Sequence, residues 1–251
     1  MLRSMETRET FWERNTQNRW SQYLLGIEED IVLRTLERFE QPGKAIEVGC
    51  DGGKWSTLLH SLGWDVTCVD IDPDALAICR QRLPDAKIVF ADPEATTYEI
   101  DGDQFDFLFA IQVPPSQEPW FAREAARLLK PGALAVFDVI NAASYRAYLS
   151  LLRSMVSRDE LFYTCRFADV QKDYEAEGFE FLETIGYAWA PFSRDSNSLV
   201  IPFVTGLEKC FGLRGFSRYA PWVISSVKFH ADKNANLLEA SCCQEMLPCA
   251  S

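Results

Sequence analysis

The stretch Ala45-Ile46-Glu47-Val48-Gly49-Cys50-Asp51-Gly52-Gly53-Lys54-Trp55 constrains this chain more than any other. A short, mostly apolar run carrying Glu47 leads straight into a glycine-rich turn. Behind the turn, Trp55, Leu58, Leu59 and Leu62 are apolar at helical spacing. Strand, glycine turn and helix in immediate succession bring a backbone close to a nucleotide-like ligand. Glycines lack the Cβ that blocks such an approach, and the free N–H groups opening the helix favour a negatively charged ligand group.

Spacing narrows the ligand. A dinucleotide fingerprint needs glycines at its first, third and sixth places; counted from Gly49, the third and sixth are Asp51 and Lys54. A phosphate-binding P-loop needs a glycine five places before Gly53 and Ser or Thr after the lysine, where this chain has Val48 and Trp55. What remains resembles motif I of the class I S-adenosylmethionine (SAM) dependent methyltransferases, which reads acid-x-Gly-x-Gly-x-Gly at the end of the first strand. Glu47, Gly49 and Gly53 match it, and Asp51 occupies the middle glycine position with Cys50 before it.

Composition sets outer limits. At 251 residues and 47% hydrophobic, the chain suits one globular domain with elaborations, or at most two. Its net charge of −12 repels phosphate backbones, which disfavours a nucleic-acid substrate. No stretch has the apolar length of a membrane span, and Met1–Thr10 lacks the apolar centre of a signal peptide, so a cytoplasmic location is expected. Cys50, Cys68 and Cys79 read as small buried residues, and the spacing of Cys242, Cys243 and Cys249 matches no paired metal site. No metal is expected.

Residues 1–40 read as two helices. Phe11, Trp12, Asn15, Arg19, Trp20, Tyr23 and Leu24 mark one aromatic-rich face, and Ile27 to Phe39 follows with Ile31, Leu33, Leu36 and Phe39 for the core. These helices either pack simply onto the domain, the favoured reading, or form a flap over the ligand with Trp20 or Tyr23 at its edge. Asp65–Asp70 is a second strand, so Glu47 and Asp70 close neighbouring parallel strands where open α/β sheets bind ligands. The Asp70 carboxylate suits both ribose hydroxyls. The resemblance implies that Ile71, in the family's second motif, lies against the adenine ring. It also implies that Asp92, after the third strand Lys87–Phe90 and followed by Pro93, accepts from the adenine amino group. Asp92 also reads as the cap of a turn.

Gln104–Gln112 is a fourth strand buried on both faces, which brings Ala110, Ile111 and Gln112 to the cofactor side. Gln112-Val113-Pro114-Pro115 lacks the Asn-Pro-Pro-aromatic motif of related enzymes that methylate nucleobase or glutamine amino groups. The phrase Leu128-Leu129-Lys130-Pro131-Gly132-Ala133-Leu134 resembles the family's connection from helix to fifth strand. The expected fold is therefore α/β and Rossmann-like, a mostly parallel, mixed seven-stranded sheet with helices on both faces. It occupies residues 41–230, and a polar tail follows over 231–251.

SAM carries an activated methyl, so alignment and exclusion of water suffice and no nucleophile is required. A general base helps a hydroxyl or protonated amine acceptor. His60 and His230 both read as structural or exposed, which leaves the catalytic residues unassigned. Segments 141–163 and 189–219 are assigned to a largely apolar small-molecule acceptor pocket walled by Tyr145–Val156 and Ser198–Phe211, with Asn141, Tyr145, Arg194 and Asp195 as polar candidates. Two alternatives stand beside methyl transfer: an NAD-dependent oxidoreductase, and a catalytically silent SAM-binding partner subunit.

Overall fold

The structure, a computed structural model, describes residues 9–100, 104–157 and 165–231. The expected tail over 232–251, with Cys242, Cys243 and Cys249, lies outside the described residues, as does the end of the 141–163 segment.

Seven strands form one sheet: β1 (Lys44–Val48), β2 (Asp65–Asp70), β3 (Lys87–Phe90), β4 (Phe105–Ala110), β5 (Leu129–Ile140), β6 (Phe179–Tyr187) and β7 (Trp222–Phe229). Their order is β3-β2-β1-β4-β5-β7-β6. The first five pair in parallel, and β7 runs antiparallel to both β5 and β6, so the sheet is mixed. The order reverses between β1 and β4, which opens a crevice at the carboxyl ends of the strands.

Helices cover both faces. On one side α2 (Arg19–Leu36), α3 (Lys54–Ser61) and α4 (Pro73–Arg82) bury Ile31, Leu59 and Leu76 with Phe107 and Phe109. On the other, α5 (Pro119–Leu128) and α7 (Phe167–Ala176) bury Phe121 and Tyr174 with Phe105 and Phe137, the Phe137 and Tyr174 rings stacking at 4.0 Å. Two further helices, α6 (Tyr145–Ser157) and α8 (Ile201–Cys210), follow β5 and β6. Asp72 caps α4 through the N–H of Asp74 with Pro73 behind it, as the sequence pattern predicts. Asp106 accepts from Lys130 Nζ at 2.8 Å and from the N–H of Lys44 at 2.9 Å, tying β4 to its neighbours as a structural acid.

Several boundaries differ from expectation for identifiable reasons. The aromatic face from Phe11 to Leu24 is broken, because Asn18 accepts from the N–H of Ser21 and starts a new helix. A short α1 (Phe11–Asn15) therefore precedes a single α2, which runs without interruption through Gly26. Leu33 faces solvent rather than core, at 37% exposure. Strand β4 stops at Ala110 because Gln112 adopts φ +60°. Lys130–Ala133 belongs to the start of β5: Leu129 already pairs with Phe105, and a bulge shifts the register before Phe107 meets Leu134.

Candidate cofactor and acceptor site

The loop between β1 and α3 is shaped by side chains that cannot be there. Gly49 has φ +73°, and a Cβ on it would lie 2.3 Å from Val113 Cγ2. Its N–H donates to Val69 O at 2.8 Å, tying the loop to β2. Asp51, in the middle glycine position, also has positive φ, +46°. Aspartate tolerates that conformation better than most residues. Gly53 turns the chain into α3 at φ +78°, with Cys79 Sγ 2.6 Å from where a Cβ would sit. Glu47 is buried, accepts the Ser56 hydroxyl and so joins β1 to α3; burial pushes its carboxyl well above the usual range.

A cavity of about 380 Å³ opens beside this loop at the carboxyl ends of β1, β2 and β4. Of the residues singled out in the sequence, Glu47, Gly49, Cys50, Asp51, Asp70, Ile71, Ile111 and Gln112 line it. Asp70 accepts the N–H of Asp51 at 2.7 Å on one oxygen and that of Asp72 at 2.9 Å on the other. Each oxygen keeps a lone pair for a ligand hydroxyl. Ile71, 55% exposed, offers a bare apolar surface at the rim. The cavity is large enough for a nucleoside ligand, and its donor set fits SAM. Four expected contacts do not line it. Gly53 packs against Cys79, and Ala110 is fully buried inside the sheet. Asp92 and Pro93 are exposed, and the Asp92 carboxylate accepts from the N–H of Glu94, so it caps a turn.

The N-terminal residues on the cavity are not the expected ones. Trp20 is buried against Tyr23 and Phe192, and the Tyr23 hydroxyl donates to Glu208, so both pack in the body. Trp12, Glu13 and Thr16 from α1 and its C-terminal end, with Leu25 and Glu28 from α2, line the cavity instead. A clamp holds α1 there. Thr10 caps it, and its hydroxyl donates to the Asp51 carboxylate. Glu13 binds Arg82 Nη2 at 2.9 Å, and Arg82 Nη1 donates to Gly52 O at 2.9 Å. Asp51→Gly relaxes the backbone but removes the tie to Thr10. We predict that it leaves the melting temperature close to that of the parent while raising protease cleavage and amide exchange across residues 9–16. Unchanged exchange there would show that the clamp holds nothing.

The acceptor-side candidates separate sharply. Asn141 is fully buried; its amide donates to Arg218 O and Ala220 O, both at 3.0 Å, and its carbonyl oxygen accepts from Ala143 and Phe167 N–H. It is a clamp between segments. Tyr145 donates to Trp189 O, and Asp195 is exposed; neither lines the cavity. Among the described residues, the apolar side chains of α6 and α8 do not wall it either: Tyr148 is 63% and Phe203 68% exposed. Arg194 does not line it either but touches two residues that do, with Nη2 2.6 Å from Gln112 Oε1 and its guanidinium 3.7 Å above the Trp12 ring.

Around Gln112 stand two buried acids that the sequence reading passed over. Its N–H donates to Asp138 Oδ1 at 2.6 Å, and its Nε2 donates to Glu28 Oε1 at 3.0 Å, which also accepts from the Tyr187 hydroxyl at 3.3 Å. Burial pushes the Glu28 carboxyl up to about 7; burial and the nearby Glu28 push Asp138 up to about 8. A signal existed: each acid interrupts an apolar pattern, Glu28 among Leu24, Ile27 and Ile31, and Asp138 within Ala133–Ile140. The fold also gathers Cys50, Cys68 and Cys79, whose sulfurs lie within 4.8 Å of one another, a grouping their spacing along the chain does not announce. His60 is exposed, and His230 pairs with Glu180 at 2.8 Å, away from this site.

Residues 12–184 match the model of a family described as a methyltransferase domain. The match spans more than half of the chain, and the chain belongs to this family, the class I SAM-dependent methyltransferases. A ubiquinone biosynthesis O-methyltransferase of Hydrogenovibrio crunogenus is 29% identical over 110 residues, 41% of this chain and 45% of that protein. This chain therefore spans less than half of that relative's length. Among solved structures, the N-methyltransferase NodS of Bradyrhizobium japonicum, in complex with S-adenosyl-L-homocysteine, is similar at TM-score 0.57 and 14% identity, covering 89% of this chain and 94% of that one. The PH0226 protein of Pyrococcus horikoshii is similar at TM-score 0.57 and 15% identity, covering 88% and 100%. At such identities these two structures establish the fold.

Proposed function

We propose that this protein transfers a methyl group from SAM to a small-molecule acceptor. The observation that carries this reading is the cavity at the switch point of the sheet, where Asp70, Ile71 and the Gly49–Asp51 loop converge. Asp70 holds the ribose hydroxyls, Ile71 supports the adenine, and the loop backbone at Gly49 and Cys50 holds the amino-acid end of the cofactor. SAM supplies an activated methyl on a sulfonium, so the chain's own residues bind, orient and exclude water. Trp12 and Thr16, with α2 behind them, cap the cofactor side. Arg194 brings the 189–219 insertion to the acceptor side. The net charge of −12 favours an acceptor without a phosphate backbone, and the O-methyltransferase relative supports an oxygen acceptor.

Calorimetric titration tests the assignment. SAM and S-adenosylhomocysteine should bind, and NAD should not. NAD binding as tight as that of SAM would instead support an oxidoreductase. SAM binding without turnover on any acceptor would favour a silent partner subunit.

A further inference from the structure

Glu28 Oε2 is a carboxylate oxygen with no hydrogen-bond partner, on a fully buried residue that lines the cavity. A buried carboxylate left with an open oxygen is costly; Oε2 is itself shielded, on a residue that borders the cavity, so a donor meets it where a lining side chain gives way. The other oxygen is fixed by Gln112 and Tyr187. Gln112 is itself held at φ +60°, a conformation rare outside glycine. That strained backbone directs its N–H to Asp138 and its amide to Glu28, so one residue orients two acids. Asp138 Oδ2 is likewise unpartnered and buried.

We propose that Glu28 is the catalytic base of this site, receiving the proton of a hydroxyl acceptor as its oxygen is methylated, with Gln112 and Asp138 as positioning residues. The proposal rests on the methyltransferase reading above. The balance is simple. The acceptor oxygen forms a bond to the methyl carbon, the carbon–sulfur bond breaks with its electron pair staying on sulfur, and the hydroxyl proton passes to Glu28 Oε2. The products are a methyl ether, a neutral thioether and a neutral carboxylic acid.

The charges around Glu28 favour a neutral hydroxyl over an ammonium acceptor. Asp138 from β5 faces it with a like charge, Arg194 and Lys54 face it with positive charge, and Tyr187 from β6 donates to it. Two acids that repel each other do not both ionise near neutrality. The two cations outnumber the one negative charge, so a cationic acceptor gains little there. A neutral hydroxyl adds no further positive charge to the site before the reaction.

The test uses the full chain and two readouts. Parent and Glu28→Gln protein are first titrated with SAM; a parent that does not bind SAM removes the cofactor reading itself, whereas this proposal concerns what Glu28 does once SAM binds. Turnover is then followed with a panel of phenols, catechol included, and primary amines of matching size. Phenol methylation by the parent should rise with pH through one ionisation near neutrality. Glu28→Gln should lose at least about 100-fold in kcat and lose that pH step, while its SAM affinity stays within about threefold. Asp138→Asn should leave that step near neutrality, because Asp138, pushed up further than Glu28, is still protonated when Glu28 ionises. Equal turnover by Glu28→Gln, or methylation confined to amines, overturns the proposal. The second readout needs no acceptor. Infrared difference spectra of ¹³C-glutamate-labelled parent with S-adenosylhomocysteine should show one buried carboxyl, absent from Glu28→Gln, ionising near neutrality. A Glu28 that stays protonated above about pH 9 cannot take up the proton and overturns the proposal.

Discussion

Asp70→Ala yields a folded protein whose affinity for SAM is at least about 100-fold weaker than that of the parent. Two charge-assisted bonds from ribose hydroxyls contribute roughly 1.5–3 kcal/mol each, and about 2.8 kcal/mol corresponds to a factor of 100. The carboxylate has a second task that pushes the effect in the same direction. It receives the Asp51 and Asp72 N–H groups, so its removal also loosens the loop that approaches the ligand. Asp92→Ala should cost much less, because that carboxylate is exposed and engaged with Glu94. Asp74→Ala, also exposed, serves as the control. Calorimetric titration of the three variants, with circular dichroism for folding, decides the matter. A folded Asp70→Ala that binds SAM like the parent would mean that the ribose lies elsewhere and that Asp70 is only a loop anchor.

Gly49→Ala produces the second large effect. Its Cβ would stand 2.3 Å from Val113 Cγ2, and its φ of +73° is left-handed. Left-handed backbone costs a non-glycine residue roughly 1–2 kcal/mol, and overpacking adds typically 1–3 kcal/mol. The variant should melt on the order of 10 °C lower, at about 2–4 °C per kcal/mol for a domain of this size, and it should lose SAM binding. The two costs separate in a cycle. Val113→Ala removes the offending methyl, so Gly49→Ala/Val113→Ala should recover the packing part and keep the backbone part, a coupling of about 1 kcal/mol or more. Additive effects in thermal melts would show that the two residues do not touch.

The sheet and the cofactor half of the cavity were legible because local chemistry dictates them. Alternating and continuous apolar runs end at acids or turns, so β2 and β3 fall on the residues their patterns predict. Asp72-Pro73 marks a helix start by capping and fixed φ alone. The aromatic N-terminus was harder. Trp12, Trp20 and Tyr23 share one apparent face, yet a capping asparagine between them turns Trp12 to the cavity and Trp20 to the core. Asn141 looked like a polar group at a strand end facing a ligand. Its partners at 218 and 220 are remote in sequence and invisible to any local pattern. The same holds for Glu28 and Asp138, which meet at Gln112 only because α2 crosses the carboxyl end of β5. Local patterns reveal the groups that a strand end or a turn presents. They do not reveal groups that distant segments bring together.

The helices that line one side of the cavity are tied to a distant part of the chain. The N–H of Trp20 donates to Ser196 O at 3.1 Å, that of Arg19 to Asn197 Oδ1 at 3.0 Å, and the Ser21 hydroxyl to Arg194 O at 3.1 Å. These helices are synthesised before the strands of the sheet, and they wait for partners made more than a hundred residues later. Contacts so far apart reward the chain only after a long loop has closed. A nascent chain halted before Arg194 holds the strands and the glycine turn that form the floor, while the N–H groups of Trp20 and Arg19 are still without Ser196 and Asn197. The N-terminal side of the cavity thus gains its last anchors only when residues 194–197 arrive. A ligand held beneath it stabilises this closing step, coupling the end of folding to the arrival of the cofactor.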